Sequence, residues 1–296
     1  MADPRIFTTD TKPVEQSSTA DTLMGPKVLL EGPAGTGKTH ALGTAVDWAE
    51  AHGRQVFILF TENGLETLLG YWKDRGKPVP ENLHWHVAMT KPIGINQLMD
   101  AADKVGKLSY ESITKMVDAK RSENNAFYKI LTACSDFHDD RTGKKFGPVD
   151  SWGTDVIFGL DSLSETANAA MKMVIGGKPT ASMPDYGVAQ NNLMNFLRLC
   201  TQGCACTFLL TAHVSREKDE ITGGVKLMTK AVGSALANEI PQLFSDVIYT
   251  VREGNSFYWD TAAANVDVKT RNLPIAAKLK PDFGAIMDKW EARRGS

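Results

Sequence analysis

Residues 27–53, KVLLEGPAGTGKTHALGTAVDWAEAHG, constrain this chain more than any other stretch. A short apolar run (Val28, Leu29, Leu30) has the length of a buried strand. It leads into Gly32-Pro33-Ala34-Gly35-Thr36-Gly37-Lys38-Thr39, after which Leu42, Val46 and Ala49 recur at helical spacing. Gly53 stands where a helix C-cap belongs. Strand, G-x-x-x-x-G-K-[ST] loop and helix together form a phosphate-binding loop. Its glycines let backbone N–H groups turn onto a phosphate, and the helix offers its positive N-terminus to the same anion. The pattern predicts that Lys38 reaches the β- and γ-phosphates of ATP and that Thr39 sits on Mg²⁺. The eight loop residues and His40 after them are the predicted nucleotide contacts.

At 296 residues the chain can bury a sizeable core, as one large domain or two small ones. With 42% hydrophobic and 23% charged residues, its composition is that of a soluble globular protein. The net charge of −2 supplies no bulk positive field, so contact with nucleic acid has to come from local patches. No apolar run approaches the ~20 residues of a membrane span, and no signal-peptide pattern opens the chain. The expectation is a cytoplasmic protein with no membrane partner. Cys134, Cys200, Cys204 and Cys206 include a C-x₃-C-x-C cluster without a fourth ligand at a believable spacing, so reduced, buried thiols are expected.

Residues 1–24, polar around an isolated Ile6-Phe7 pair, read as a flexible tail or as an arm that docks on a neighbouring subunit. Residues 55–61 (QVFILFT) form a second buried strand ending at the turn signal Glu62-Asn63-Gly64, and a helix follows through Trp72. A third strand, residues 84–89, sets His84 and His86 on one face; with no carboxylate or thiol close in sequence, they make a weak metal pair. A helix over residues 95–105 precedes a polar helical insertion, residues 107–150. Its aromatics (Tyr110, Phe127, Tyr128, Phe137, Phe146) either pack helices or stack on single-stranded nucleic acid.

Residues 155–162 (DVIFGLDS) form an apolar strand ending in an aspartate, so Asp161 joins Thr39 as a predicted Mg²⁺ ligand. A helix over residues 186–199 leads to the strand 206–212, which ends at His213. Residues 214–230 read as a slightly basic loop. A helix (234–243) and strands at 246–251, 256–260 and 266–268 form a terminal meander that delivers Lys269-Thr270-Arg271. The predicted fold is α/β: a mostly parallel sheet flanked by helices, with a C-terminal antiparallel meander. The core is expected over residues 25–272, with a C-terminal tail at 273–296.

Hydrolysis needs a group that orients and deprotonates the attacking water. Ser162, not an acid, follows Asp161, so the base has to come from elsewhere. Glu62, at a strand end, is the first choice and Glu165, one helical turn past Asp161, the second.

These residues resemble the RecA-like core. RecA-family recombinases carry their catalytic glutamate at the end of such a strand, and their Walker B strand ends in Asp-Ser. The match is nearest to phage-encoded RecA-core recombinases and single-strand annealing proteins, through Glu62-Asn63-Gly64, Asp161-Ser162-Leu163 and Thr211-Ala212-His213. It covers residues 25–106 and 150–275. His213 falls where that family usually keeps a glutamine that senses the γ-phosphate. Lys269-x-Arg271 is similar to the pair that DnaB-like helicases point into a neighbouring subunit's nucleotide.

The resemblance implies a Mg²⁺- and ATP-dependent, DNA-stimulated ATPase of homologous recombination or strand annealing. It implies assembly as a homo-oligomer, filament or ring, on single-stranded DNA, in a host cytoplasm if the gene is a phage's. A single-strand DNA-binding protein is a further implied partner. DNA contacts are expected at Arg216, Lys218, Lys226 and Lys230, with the 171–183 stretch beside them. Two other readings stand: a ring-shaped helicase or translocase on the same core, and a small-molecule kinase. The kinase reading needs a lid with paired arginines, where Arg216 stands alone.

Overall fold

The computed structural model describes residues 23–89, 94–107, 125–176, 181–218 and 224–295. The tail pair Ile6-Phe7, Tyr110 and the tip of the 214–230 segment lie outside them.

Strands β1 (Lys27–Glu31), β2 (Gln55–Phe60), β4 (Val156–Asp161) and β5 (Thr207–Ala212) are nearly continuous apolar runs, while the edge strand β3 (Leu83–Val87) alternates histidines with apolar residues. Such runs suit a parallel sheet covered on both faces. With β8 (Asp246–Glu253) and β9 (Ser256–Asp260) they form one sheet in the order β3-β2-β4-β5-β1-β8-β9. Six strands are parallel, and only β9 runs antiparallel, on β8. The fold is therefore α/β, mostly parallel, with an antiparallel pair at its C-terminal edge.

Alternation within the strands divides the core into two layers. Val56, Ile58 and Phe60 of β2 face a layer with α1 (Lys38–Ala51) and α2 (Leu65–Lys73). Phe57 and Leu59 face the layer built by α4 (Ala126–Ser135), α5 (Leu163–Ile175), α6 (Met183–Arg198) and α7 (Gly233–Glu239). Between β3 and α4 lies α3 (Ile95–Gly106). Asn125 caps α4 by accepting the N–H groups of Phe127 and Tyr128, and Ser182 with Asp185 forms a capping box on α6.

One segment settles an alternative left open by the sequence, and two differ from its reading. In the 107–150 stretch, Phe127, Ile130 and Phe137 are buried in the core, while Tyr128 is exposed. The 214–230 stretch is no loop: β6 (Val214–Lys218) pairs antiparallel with β7 (Val225–Thr229). Arg216 and Lys218 are exposed on β6, whereas Leu227, Met228 and Thr229 of β7 are buried, so the ribbon is anchored through its second strand. The core also continues past residue 272. In α8 (Gly284–Arg294), Ile286, Met287 and Trp290 are buried, and Trp48 of α1 donates to Asp288 at 2.6 Å. Of the three expected meander strands, 266–268 makes only isolated bridges at its edges.

All four cysteines are free and buried. No helix among the described residues is long and apolar enough to cross a membrane.

Candidate active site

The C-terminal ends of β1, β5, β4 and β2 stand side by side, about 4.8 Å apart per step. They bring Gly32, His213, Asp161 and Glu62 to one rim roughly 15 Å wide.

At β1 the chain turns sharply. A Cβ on Gly32 would lie 2.1 Å from the Thr250 hydroxyl, so only glycine fits against β8. Gly35 and Gly37 hold φ at 74° and 83°, the left-handed region that favours glycine. Lys38 is buried, and its Nζ donates to the carbonyls of Gly32 (2.8 Å) and Pro33 (2.7 Å). Burial pushes its pKa down to about 8, with the fields of Asp161 and Glu62 pulling the other way. Among the described residues no carboxylate lies within ion-pair distance of this ammonium, so a buried cation faces the loop without its anion. That fits a phosphate group.

Thr39 donates to Asp161 Oδ2 at 2.8 Å, and Thr211 donates to Oδ1 of the same carboxylate. Asp161 is buried, which raises its pKa; the two hydroxyls and Lys38 oppose that shift. A buried carboxylate and a loop hydroxyl are the hard oxygen donors that suit Mg²⁺. The Asp161–Ser162 peptide bond is cis.

Thr61 joins the ends of β2 and β4: its N–H donates to Asp161 O (2.7 Å), and its hydroxyl accepts from Ser162 N–H (2.9 Å). Gly64 then packs where a Cβ would meet Asp161 Oδ2 at 2.3 Å, which sets the Glu62 turn close against the Asp161 carboxylate. Glu62 Oε1 lies 3.7 Å from His213 Nε2, and both side chains are about 30% exposed, 30% and 28%. The His213 contact lowers the Glu62 pKa; burial opposes it, and Ser162 and Lys38 reinforce it. The backbone N–H of His213 donates to Ser164 Oγ at 3.1 Å, fixing the strand end. Glu165 is on α5 and accepts from Asn168 at 3.1 Å.

A cleft of about 740 Å³ opens beside the loop, lined by Gly37, His40, Tyr71, Arg75 and Phe257 among others. His40 meets the Tyr71 ring edge-on at 4.9 Å, and the Arg75 guanidinium lies 3.8 Å from that ring's centre. Tyr71 and Trp72 both donate to Asp47, which fixes the wall. Sequence reasoning missed Thr61, Thr211, Tyr71, Arg75 and Phe257. Only the sheet order and the α1–α2 contact bring them to the site. The aromatic Tyr71-Trp72 pair was the one local signal.

The remaining predicted residues lie elsewhere. Arg216 and Lys218 are exposed on β6, Lys226 on β7 pairs with Asp267 at 3.1 Å, and Lys230 is exposed beyond β7. Lys269 pairs with Val247 near the start of β8, and the N–H of Arg271 donates to Asp246. Asp246 registers with Val28 at the start of β1, so Lys269 and Arg271 occupy the end of the sheet opposite Lys38.

No protein-family model matches the chain, and no curated protein matches its sequence. Among solved structures it is similar to the crystal structure of the RadB recombinase, with 12% identity over 86% of each chain and a TM-score of 0.37.

Proposed function

We propose that this chain is an ATP-hydrolysing, single-stranded-DNA-binding protein of homologous recombination or strand annealing, acting as an oligomer on DNA. One observation carries the reading. The strand end that brings His213 to Glu62 continues directly into β6, which exposes Arg216 and Lys218. Nucleotide chemistry and a basic hairpin thus share a single length of chain.

Mg²⁺, held by Thr39 and Asp161, would neutralise phosphate charge. Lys38 exchanges its loop carbonyls for β/γ-phosphate oxygens, a swap that leaves the buried ammonium better paired. Glu62, kept ionised, orients a water and accepts its proton. With a γ-phosphate present, His213 has a second acceptor besides Glu62, so its choice of partner reports the nucleotide state to the hairpin. The base occupies the cleft against Tyr71 and Phe257. Lys269 and Arg271, at the far end of the sheet, serve the nucleotide of a second copy, and a fixed guanidinium fork suits transition-state charge.

The test is ATP turnover with and without single-stranded DNA. DNA should raise the rate, and His213→Ala should remove most of that stimulation while basal turnover remains. Turnover indifferent to DNA, with no salt-sensitive DNA binding, would overturn the reading. Mixing inactive Lys38→Ala with inactive Arg271→Ala should restore partial activity. A mixture that co-assembles yet stays dead means Arg271 does not act in trans.

A further inference from the structure

The two histidines of β3 have different fates. His84 uses both ring nitrogens: Nδ1 meets Asp139 Oδ2 at 3.0 Å and Nε2 meets Gln55 Oε1 at 2.9 Å. Burial works against charge on Asp139, yet hydrogen bonds from Thr142, His84 and the N–H groups of Arg141 and Trp85 hold its carboxyl at about 2. His84 is a satisfied structural group.

His86, one step along the same strand face, meets different chemistry. The hairpin of residues 137–147 folds back along the edge of β3 and brings His138 and Asp140 to it. His86 Nδ1 lies 2.8 Å from Asp140 Oδ1, and His138 Nδ1 lies 3.4 Å from that same oxygen. One ligand atom from each of the three residues falls within 4.8 Å of the others. Asp140 is held from behind: its Oδ2 accepts the Val87 N–H at 2.8 Å, and its own N–H donates to Trp85 O at 2.8 Å. Its remaining oxygen therefore faces both imidazoles. Among the hairpin's cations, Lys145 is bonded to Asp136, Arg141 to the carbonyls of Pro80 and Glu81, and Lys144 lies over the Phe146 ring.

We propose that His86, His138 and Asp140 bind one divalent transition-metal ion of the zinc class, with water completing the coordination. Two imidazole nitrogens and one carboxylate oxygen form a borderline donor set, which zinc and its neighbours accept and which Mg²⁺ and Ca²⁺ do not favour. Tetrahedral zinc with bonds near 2.0–2.1 Å has ligand–ligand edges of roughly 3.3 Å. The separations of 2.8 and 3.4 Å bracket that value. The Val87 N–H supplies the outer-shell bond that orients a ligating carboxylate. All three side chains are only partly buried (25%, 44% and 33% exposed), which leaves an entry path and room for water. The ion would pin the hairpin to β3, the edge strand of the sheet, where unpaired backbone otherwise invites other chains. Since β2 lies between β3 and the Asp161 strand, this site is separate from the one proposed for Mg²⁺.

The full chain, stripped with a chelator and free of nucleotide, is titrated with ZnCl₂ by calorimetry. Whether ATP is hydrolysed has no bearing on the outcome. One ion per chain is expected, with a higher melting temperature. Losing an outer-shell partner typically costs 10–100-fold in affinity, so His86→Ala or His138→Ala should each cost about 100-fold or more. Substituted Co²⁺ should give d–d absorption without the thiolate charge-transfer band that the cysteines would produce. If His86→Ala fails to fold, acylation of the wild-type histidines decides: zinc should shield His86 and His138 and leave exposed His52 reactive. No saturable binding, a thiolate band, unchanged affinity in both variants, or no shielding would each overturn the proposal.

Discussion

Two lysines flank β1, Lys27 at its start and Lys38 just past its end, and they are nearly equally hidden, at 6% and 7% exposure. Each ammonium donates to two backbone carbonyls, and burial lowers the pKa of each. By burial and charge alone they are indistinguishable. What separates them is where their partners come from. Lys27 bonds Cys204 O (2.7 Å) and Cys206 O (2.5 Å), far along the chain, and so ties β1 to the approach to β5. Lys38 bonds carbonyls of its own glycine-rich loop, within the fields of Asp161 and Glu62. Non-local partners make a weld, whereas local ones in a loop can be exchanged for a ligand. A hidden, shifted lysine is thus a functional sign only when its partners are replaceable.

The largest effect should come from exchanging the two. Lys38→Ala is expected to lower ATP hydrolysis by 10²–10³-fold or more while the protein melts nearly as before. Lys27→Ala should do the reverse. It leaves two buried carbonyls unpaired, at a cost of about 1–3 kcal/mol, and turnover per folded molecule is unchanged. Phosphate release and urea melts on both variants check this; a folded Lys27→Ala protein without activity would break the distinction.

The acids of the rim sharpen it further. Glu62→Gln should keep nucleotide binding and lose about 10²-fold in turnover. If Glu165→Gln shows that pattern instead, Glu165 is the base.

Glu31, at the end of β1, is the structural counterpart. Thr229 donates to its Oε2, no partner among the described residues meets its Oε1, and burial pushes its pKa up to about 7. A raised pKa means stability present below the ordinary value of 4.5 and lost as pH rises through about 7. Glu31→Gln should therefore stabilise the fold by about 3 kcal/mol at pH 8, and by little near pH 5, in paired urea melts.

The smallest effect concerns Lys38 itself. Its charge fades above about pH 8, so nucleotide affinity of the free protein should fall about tenfold by pH 9. Affinity flat to pH 9.5 would mean that the ammonium contributes nothing to binding.

The sequence by itself determined the phosphate loop, the strands before and after it, and the aspartate that closes β4. Each is written locally, as a run of apolar residues with a turn or loop signature at its end, and local signatures survive without knowledge of neighbours. The α/β class followed from their alternation. Strand order was not legible, because pairing joins residues far apart in the chain and period-2 patterns do not name their partners. Tertiary structure alone set β5 between β1 and β4, which brings His213 to Glu62 and Thr211 to Asp161. It also turned Lys269 and Arg271 to the opposite end of the sheet and docked the mixed-charge C-terminal segment through one buried stripe. The carboxylate that His86 lacks in its own neighbourhood arrived on a hairpin some 54 residues along the chain. Side chains that share a site only through non-local pairing leave no periodic trace, and only the folded sheet could assemble them.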